Sequence, residues 1–380
     1  MRTLVVFLLA DSLSSQATID PQTLLNEARR RVALTVQRVP RYTCTESIER
    51  FWYATGKVAR PGWEAGLVPL IAEENLVRSD RLHIDVAVGS GQEMFAWHGQ
   101  RSFQTDEIDQ LVSSGPISSG SYFSFLSSIF LEGLARINYG GLRLDGSRQV
   151  AVFEYSVSIS QSHFETRTAS GKDVMGYHGE FTVNPSTGEL EQLDILTDDM
   201  PDGAAACNFA TKTTYAASML NGSPFQLPES VTMDVVSRSH EKTRTVTHYR
   251  QCHEFTSQSV LRFDEAPGEG NISTSRTART LPAGLPVRIR IKLGVDPEMA
   301  WAGDPVEGEL AADIVDSKMQ LLAPKGAPVH GLILDAAILR RPSRSYVIAL
   351  QFVGLKFGRG RLPAKSGCGS RPRSGTSPHQ

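Results

Sequence analysis

Alternation of apolar and polar residues at every second position dominates the chain and predicts strands. Between Tyr177 and Val183, apolar or small residues fall at Tyr177, Gly179, Phe181 and Val183, the period of a strand with one buried face. Asn184-Pro185-Ser186-Thr187-Gly188 follows. Pro185 presets its own φ and Gly188 can take a positive one, so the chain can reverse there into a second strand from Glu189 to about Leu196. Further runs rich in Thr, Val, Tyr and Phe cover Tyr42–Tyr53, the pair Arg81–Val88 and Met94–His98, and then Leu142–Ile159, Ala210–Leu220 and Lys242–Phe255. Sequential strands joined by short turns predict an antiparallel meander, open or closed. Thr243, Thr245 and Thr247 suit a face turned to water.

Two stretches carry a helical period instead. Asp20 before Pro21 is a helix start, an acceptor at the N-cap followed by a residue that needs no N–H. Leu24, Leu25, Ala28, Val32 and Val36 then mark one inward face, and Pro40 ends the helix. The second stretch holds Tyr122, Phe123, Phe125, Leu126, Ile129, Phe130, Leu131 and Leu134 and is apolar nearly all round. It reads as a core helix, or as a helix that plugs or lines a concave apolar pocket. On the second reading Phe123, Phe125, Leu126, Ile129 and Phe130 are the candidate ligand contacts.

Residues 264–280 hold few large apolar side chains and read as a linker between a first domain, 18–263, and a small β domain, 281–356. The small domain contains P-x-G-x-P-V twice, at 282–287 and 324–329, each leading into a β-rich run. Two matching units fit a small barrel or sandwich of two similar halves. Residues 357–380 are Gly, Ser, Pro and Arg with few large apolar side chains, and disorder is expected. The fold class expected is mainly β (α+β): a curved antiparallel sheet or half-barrel packed on one or two helices, with the small C-terminal β unit.

Composition changes this picture little. The 380 residues are 40% hydrophobic and 21% charged, with a net charge of -2. No global field draws the chain to nucleic acid or an anionic membrane. Arg2, the apolar run Leu4–Ala10 and the small residues Ser15 and Ala17 read as a secretory signal ending at residue 17. A start elsewhere, or a buried N-terminal strand, is the alternative. Export would place the protein in the periplasm or outside the cell. No other stretch approaches the ~18 apolar residues of a membrane helix. In an oxidising compartment a disulfide is expected within the set Cys44, Cys207 and Cys252, with Cys368 unpaired in the polar tail. The spacing leaves the pairing open.

The chain has no G-x-x-x-x-G-K-[ST], no G-x-S-x-G and no H-E-x-x-H. His248, Cys252 and His253 are the best metal candidates. On a regular strand His248 and Cys252 share a face about 13 Å apart, at ~3.3 Å per residue, too far for one zinc. No metal or cofactor is therefore expected. Glu189, Glu191, Asp194, Asp198 and Asp199 could supply paired carboxylates for a hydrolase. They flank a hairpin and its exit, where acids normally face water.

The element order over residues 20–263, together with G-x-F-T-V-N-P-S-T-G-E-L-E-Q-L from Gly179 to Leu193, resembles the half-barrel of bacterial lipoprotein carriers and the periplasmic sensors related to them. That resemblance implies a curved sheet wrapped around helices, with a concave apolar side that receives acyl chains. The runs LPAGLPVRIRIKL, GDPVEGELAADIV and LLAPKGAPVHG resemble the β domain of outer-membrane channel proteins of conjugation and type IV secretion systems. This second likeness is to a scaffold, and no functional residue carries over. The expectation is an exported cell-envelope protein that binds a lipid, an acyl chain or a protein partner without catalysis. A purely structural or interaction module and a hydrolase are the alternatives.

Overall fold

The computed structural model describes residues 20–363 apart from 55–75, 90–91, 101, 113–114, 118–121, 169–170, 199, 202, 240, 256–280, 293 and 358–359. The expected signal, the linker, Asp199, Cys368 and most of the C-terminal tail lie outside the described residues. Helix α1 (Pro21–Arg38) starts where Asp20 accepts hydrogen bonds from the backbone N–H of Gln22 and Thr23, and it buries Leu24, Leu25, Ala28 and Val32. Strands β1 (Tyr42–Tyr53), β2 (Leu76–Gly89) and β3 (Gln92–Trp97) follow, then the short helix α2 (Ile108–Leu111). Helix α3 (Tyr122–Leu126) runs directly into a π-helical turn, Ser127–Leu131. Next come β4 (Arg136–Asp145), β5 (Arg148–Val157), the small hairpin β6 (Glu165–Thr168) and β7 (Gly171–Val174), then β8 (Tyr177–Val183) and β9 (Leu190–Thr197). The long strands β10 (Ala206–Leu220), β11 (Ser223–Ser237) and β12 (Lys242–Glu254) complete the first segment. The C-terminal segment holds β13 (Ile289–Ile291), β14 (Pro305–Leu310), the minor pair β15 (Ile314–Val315) and β16 (Leu321–Ala323), then β17 (Pro328–Leu339), β18 (Ser345–Phe357) and β19 (Gly360–Pro363). Strand β19 lies within the stretch expected to be disordered. Among the described residues no helix is long and apolar enough to cross a membrane.

Fifteen of these strands form one curved antiparallel sheet, in the order β13-β14-β17-β2-β1-β12-β11-β10-β9-β8-β5-β4 with β3, β18 and β19 paired alongside. The sheet does not close into a barrel. Its hairpins follow chain order, as short turns dictate. The turn between β8 and β9 is held by Asn184, whose Oδ1 accepts from the N–H of Ser186 and Thr187. Gly188 takes φ +70° there, and a Cβ on it would lie 2.6 Å from Cγ of Glu27. The turn therefore sits directly on α1, and Arg31 of the helix reaches Glu189 at 3.2 Å.

The C-terminal strands, expected as a small barrel or sandwich, are hydrogen-bonded into this same sheet. Ala337, Ile338 and Leu339 of β17 pair with Asp80, Ser79 and Arg78 of β2. Both P-x-G-x-P-V copies make the same turn, with Gly284 at φ +86° and Gly326 at +80°. The strands that follow them, β13 and β17, flank β14 on its two edges. The loop before β14 seals the joint: Trp301 stacks on His83 with ring centroids 4.1 Å apart, and Asp304 meets His83 Nδ1 at 3.0 Å.

The threonine face expected to meet water is turned inward. Thr243, Thr245 and Thr247 are buried, with Thr245 only 1% exposed. They stand opposite Trp52, Arg50 and Ile48 in the register, on the inward side. Thr245 donates its hydroxyl to the carbonyl of Pro116, 3.2 Å away, so its polar atom is satisfied by protein rather than by solvent.

Candidate functional site

The inward face of the sheet carries two apolar clusters. The first gathers Phe153, Tyr155, Tyr177, Phe181, Leu193 and Ile195 beneath α1. The second gathers Ile48, Ile84, Val86, Phe95 and Trp97, and takes in Ala302 and Leu332 from the C-terminal segment. The Tyr122–Leu131 segment joins them. Phe123 packs into the second cluster, while Leu126, Ile129 and Phe130 are buried in the first with Phe125 against it. Phe130 lies 4.7 Å from Phe181 between ring centroids, and Phe125 meets Tyr177 edge-on at 5.4 Å. All the residues singled out as ligand contacts thus touch apolar protein.

A cleft opens beside this segment, between α1 and the sheet, lined by Arg31, Thr35, Leu126, Leu190, Tyr215 and Gln226. It offers about 20 Å³ to a water-sized sphere, room for one or two waters and far less than an acyl chain needs. Tyr215 and Gln226 carry no signal in the sequence, because only the β10–β11 hairpin brings them to the helix.

The remaining candidates fall elsewhere. Cys44 is bonded to Cys252, and Cys207 is a free, exposed thiol. A bulge in β12, with Gln251 at φ +51°, turns Cys252 inward. His248, opposite Ser47, therefore lies on the other face, and His253 pairs with the Thr43 hydroxyl at 3.0 Å. Among the described residues no group of three His, Cys, Asp or Glu could hold a metal ion. The acidic residues are each engaged separately: Glu189 with Arg31, Glu191 with Arg148 and Asp198 with His178.

Asp194 differs, because burial pushes its carboxyl up to about 6, against the pull of Lys212 and with Glu180 adding to the rise. A raised carboxylate pKa means the native state binds the proton more tightly than the unfolded chain, so the stability this group contributes falls as pH rises from about 4 to about 6 and changes no further above that. We expect Asp194→Asn to flatten this slope and to stabilise the protein above pH 7 by on the order of 2 kcal/mol. Urea unfolding at pH 4.5 and 7.5 checks this.

No protein-family model matches the sequence, and no curated protein matches it. Solved structures that are similar in part include these three. A LolA superfamily protein from Nitrosomonas europaea aligns over 62% of this chain and 93% of its own, with 11% identity and a TM-score of 0.28. An outer membrane lipoprotein-sorting protein domain from Vibrio parahaemolyticus aligns over 64% and 97%, with 13% identity and a TM-score of 0.30. A DUF1329 family protein from Desulfovibrio piger aligns over 63% and 94%, with 10% identity and a TM-score of 0.30. At TM-scores this low the similarity adds nothing to what the sheet and its helices show directly. None of the three is a channel protein of conjugation or secretion.

Proposed function

We propose that this protein holds an acyl chain or similar apolar ligand between the inward face of its sheet and the Tyr122–Leu131 segment, without catalysis. The observation that carries the reading is that one short segment bridges both apolar clusters. Displacing it would uncover Phe181 and Tyr177 in the first cluster and the part of the second that Phe123 covers. Its π-helical turn, Ser127–Leu131, breaks the regular helix at that place, where such turns are frequent in functional segments. The cleft beside it is too small for an acyl chain, so the ligand enters only as the segment moves out. The Cys44–Cys252 bond supports an oxidising, extracytoplasmic setting.

Native mass spectrometry of the purified protein, followed by solvent extraction, tests this. The expected result is one bound acyl chain per protein, and uptake of a fluorescent fatty acid by the stripped protein. The packed state of Leu126, Ile129 and Phe130 favours a second reading, a structural module with a sealed core. Protein that is clean as purified and takes up no fatty acid at micromolar concentration would establish that reading instead.

A further inference from the structure

Further along the inward face, β1, β2, β3, β11 and β12 enclose a second recess, lined in part by Tyr42, Cys44, Glu46, Glu93, Leu227 and Tyr249. It offers about 10 Å³ to a water-sized sphere, room for one such group. Glu46 is only 1% exposed. It accepts a hydrogen bond from Tyr249, but its Oε2 is buried with no partner. Glu93 stands close enough to repel it and, with Pro228 and Tyr249, is half-buried at the rim. Among the described residues lining the recess there is no Lys, Arg or His. A buried carboxylate ordinarily has a cationic partner, and here the fold supplies two acids and no base.

We propose that this recess binds a primary ammonium group, presented by a small alkylamine or by the head of an amino-lipid. The two carboxylates and the two tyrosines offer acceptors and ring faces to the cation. Val86, Val88 and Leu227 give its carbon stem an apolar wall. The space admits one NH₃⁺ and excludes a trimethylated head. In the empty recess burial raises Glu46 well above the ordinary carboxylate range and Glu93 to about 7. Entry of the ammonium therefore expels protons held there near neutral pH.

Isothermal titration at pH 7.0 with butylammonium, tetramethylammonium and potassium chlorides at matched ionic strength tests this, run in two buffers of different ionisation heat. Saturable binding of butylammonium alone, with proton release, is expected. Glu46→Gln and Glu93→Gln should each weaken it at least tenfold while circular dichroism and unfolding stay cooperative. Vesicles of phosphatidylcholine, with and without phosphatidylethanolamine, then separate the sources. Preference for the ethanolamine lipid assigns the site to a lipid head, and butylammonium binding without that preference assigns it to a free amine. Equal response to potassium, or no response while Glu93→Gln only shifts the pH dependence of stability, overturns the proposal in favour of a plain cation site or a shared proton.

Discussion

Replacing Cys44 and Cys252 together by alanine is expected to lower the unfolding free energy by roughly 4–5 kcal/mol. The bond joins residues 208 positions apart, so it closes a long loop and removes much of the freedom of the unfolded chain. It also pins a weak point of the ladder. Cys44 has no partner in the β1–β12 register, because the pairing shifts between Thr43 and Thr45. These two strands come from the start and the end of the first segment, and every strand from β2 to β11 is threaded between them in sequence. The corresponding fall in midpoint temperature is on the order of 10 °C for a chain of this size. Urea unfolding of the double variant against oxidised wild type measures it, with Cys207→Ser as the silent control. A loss under about 1 kcal/mol would mean that the hydrogen-bond ladder alone holds the strands.

The second large effect is expected at Asp80. Its carboxylate is 1% exposed and takes both Nε and Nη2 of Arg50, at 2.8 and 2.9 Å, while the Arg50 side chain is 3% exposed. Arg78 adds a contact at 3.1 Å and approaches Asp335 of β17 at 3.7 Å. Both guanidinium groups lie over the ring of Trp52, 5.1 and 4.8 Å from its centre. This network ties β1 to β2 and reaches the C-terminal strands. Asp80→Ala removes the bidentate carboxylate of buried Arg50 and should destabilise by roughly 3–5 kcal/mol. The double change Arg50→Met with Asp80→Leu should cost much less, since it removes the stranded charge along with its partner. Denaturant unfolding of both variants decides this. If the double variant is as damaged as the single one, the loss comes from packing rather than from the uncompensated guanidinium.

Much of the architecture was legible in the chain. The Asp20-Pro21 start of α1 follows from capping chemistry that acts within one turn. The reversal at Asn184–Gly188 follows from an acceptor side chain and a glycine that reaches positive φ. Other features were not legible, because they depend on what lies across the sheet. A threonine repeat such as Thr243-x-Thr245-x-Thr247 looks the same whether it meets water or core. The choice falls inward because β12 aligns Thr245 with Arg50 and the loop carrying Pro116 covers it. The bulge at Gln251 is likewise invisible in the period of the strand, yet it moves Cys252 to the face opposite His248.

The candidate site divides in the same way. Phe123, Phe125, Leu126, Ile129 and Phe130 announced themselves as an apolar helix, and burial of such a surface is dictated by its cost in water. That the same short segment serves two clusters, and that the cleft beside it is too small for an acyl chain, was decided by the curvature of the sheet and by α1. Glu46 and Glu93 carry no signal at all in the sequence, 47 places apart as their numbers stand. By itself the sequence determined most of the strands, the start of α1 and the turn at Asn184–Gly188, since these rest on neighbours within a few positions. Only the tertiary structure decided which polar groups are enclosed together, because strand register sets those encounters, and register is fixed by contacts between residues far apart in the chain.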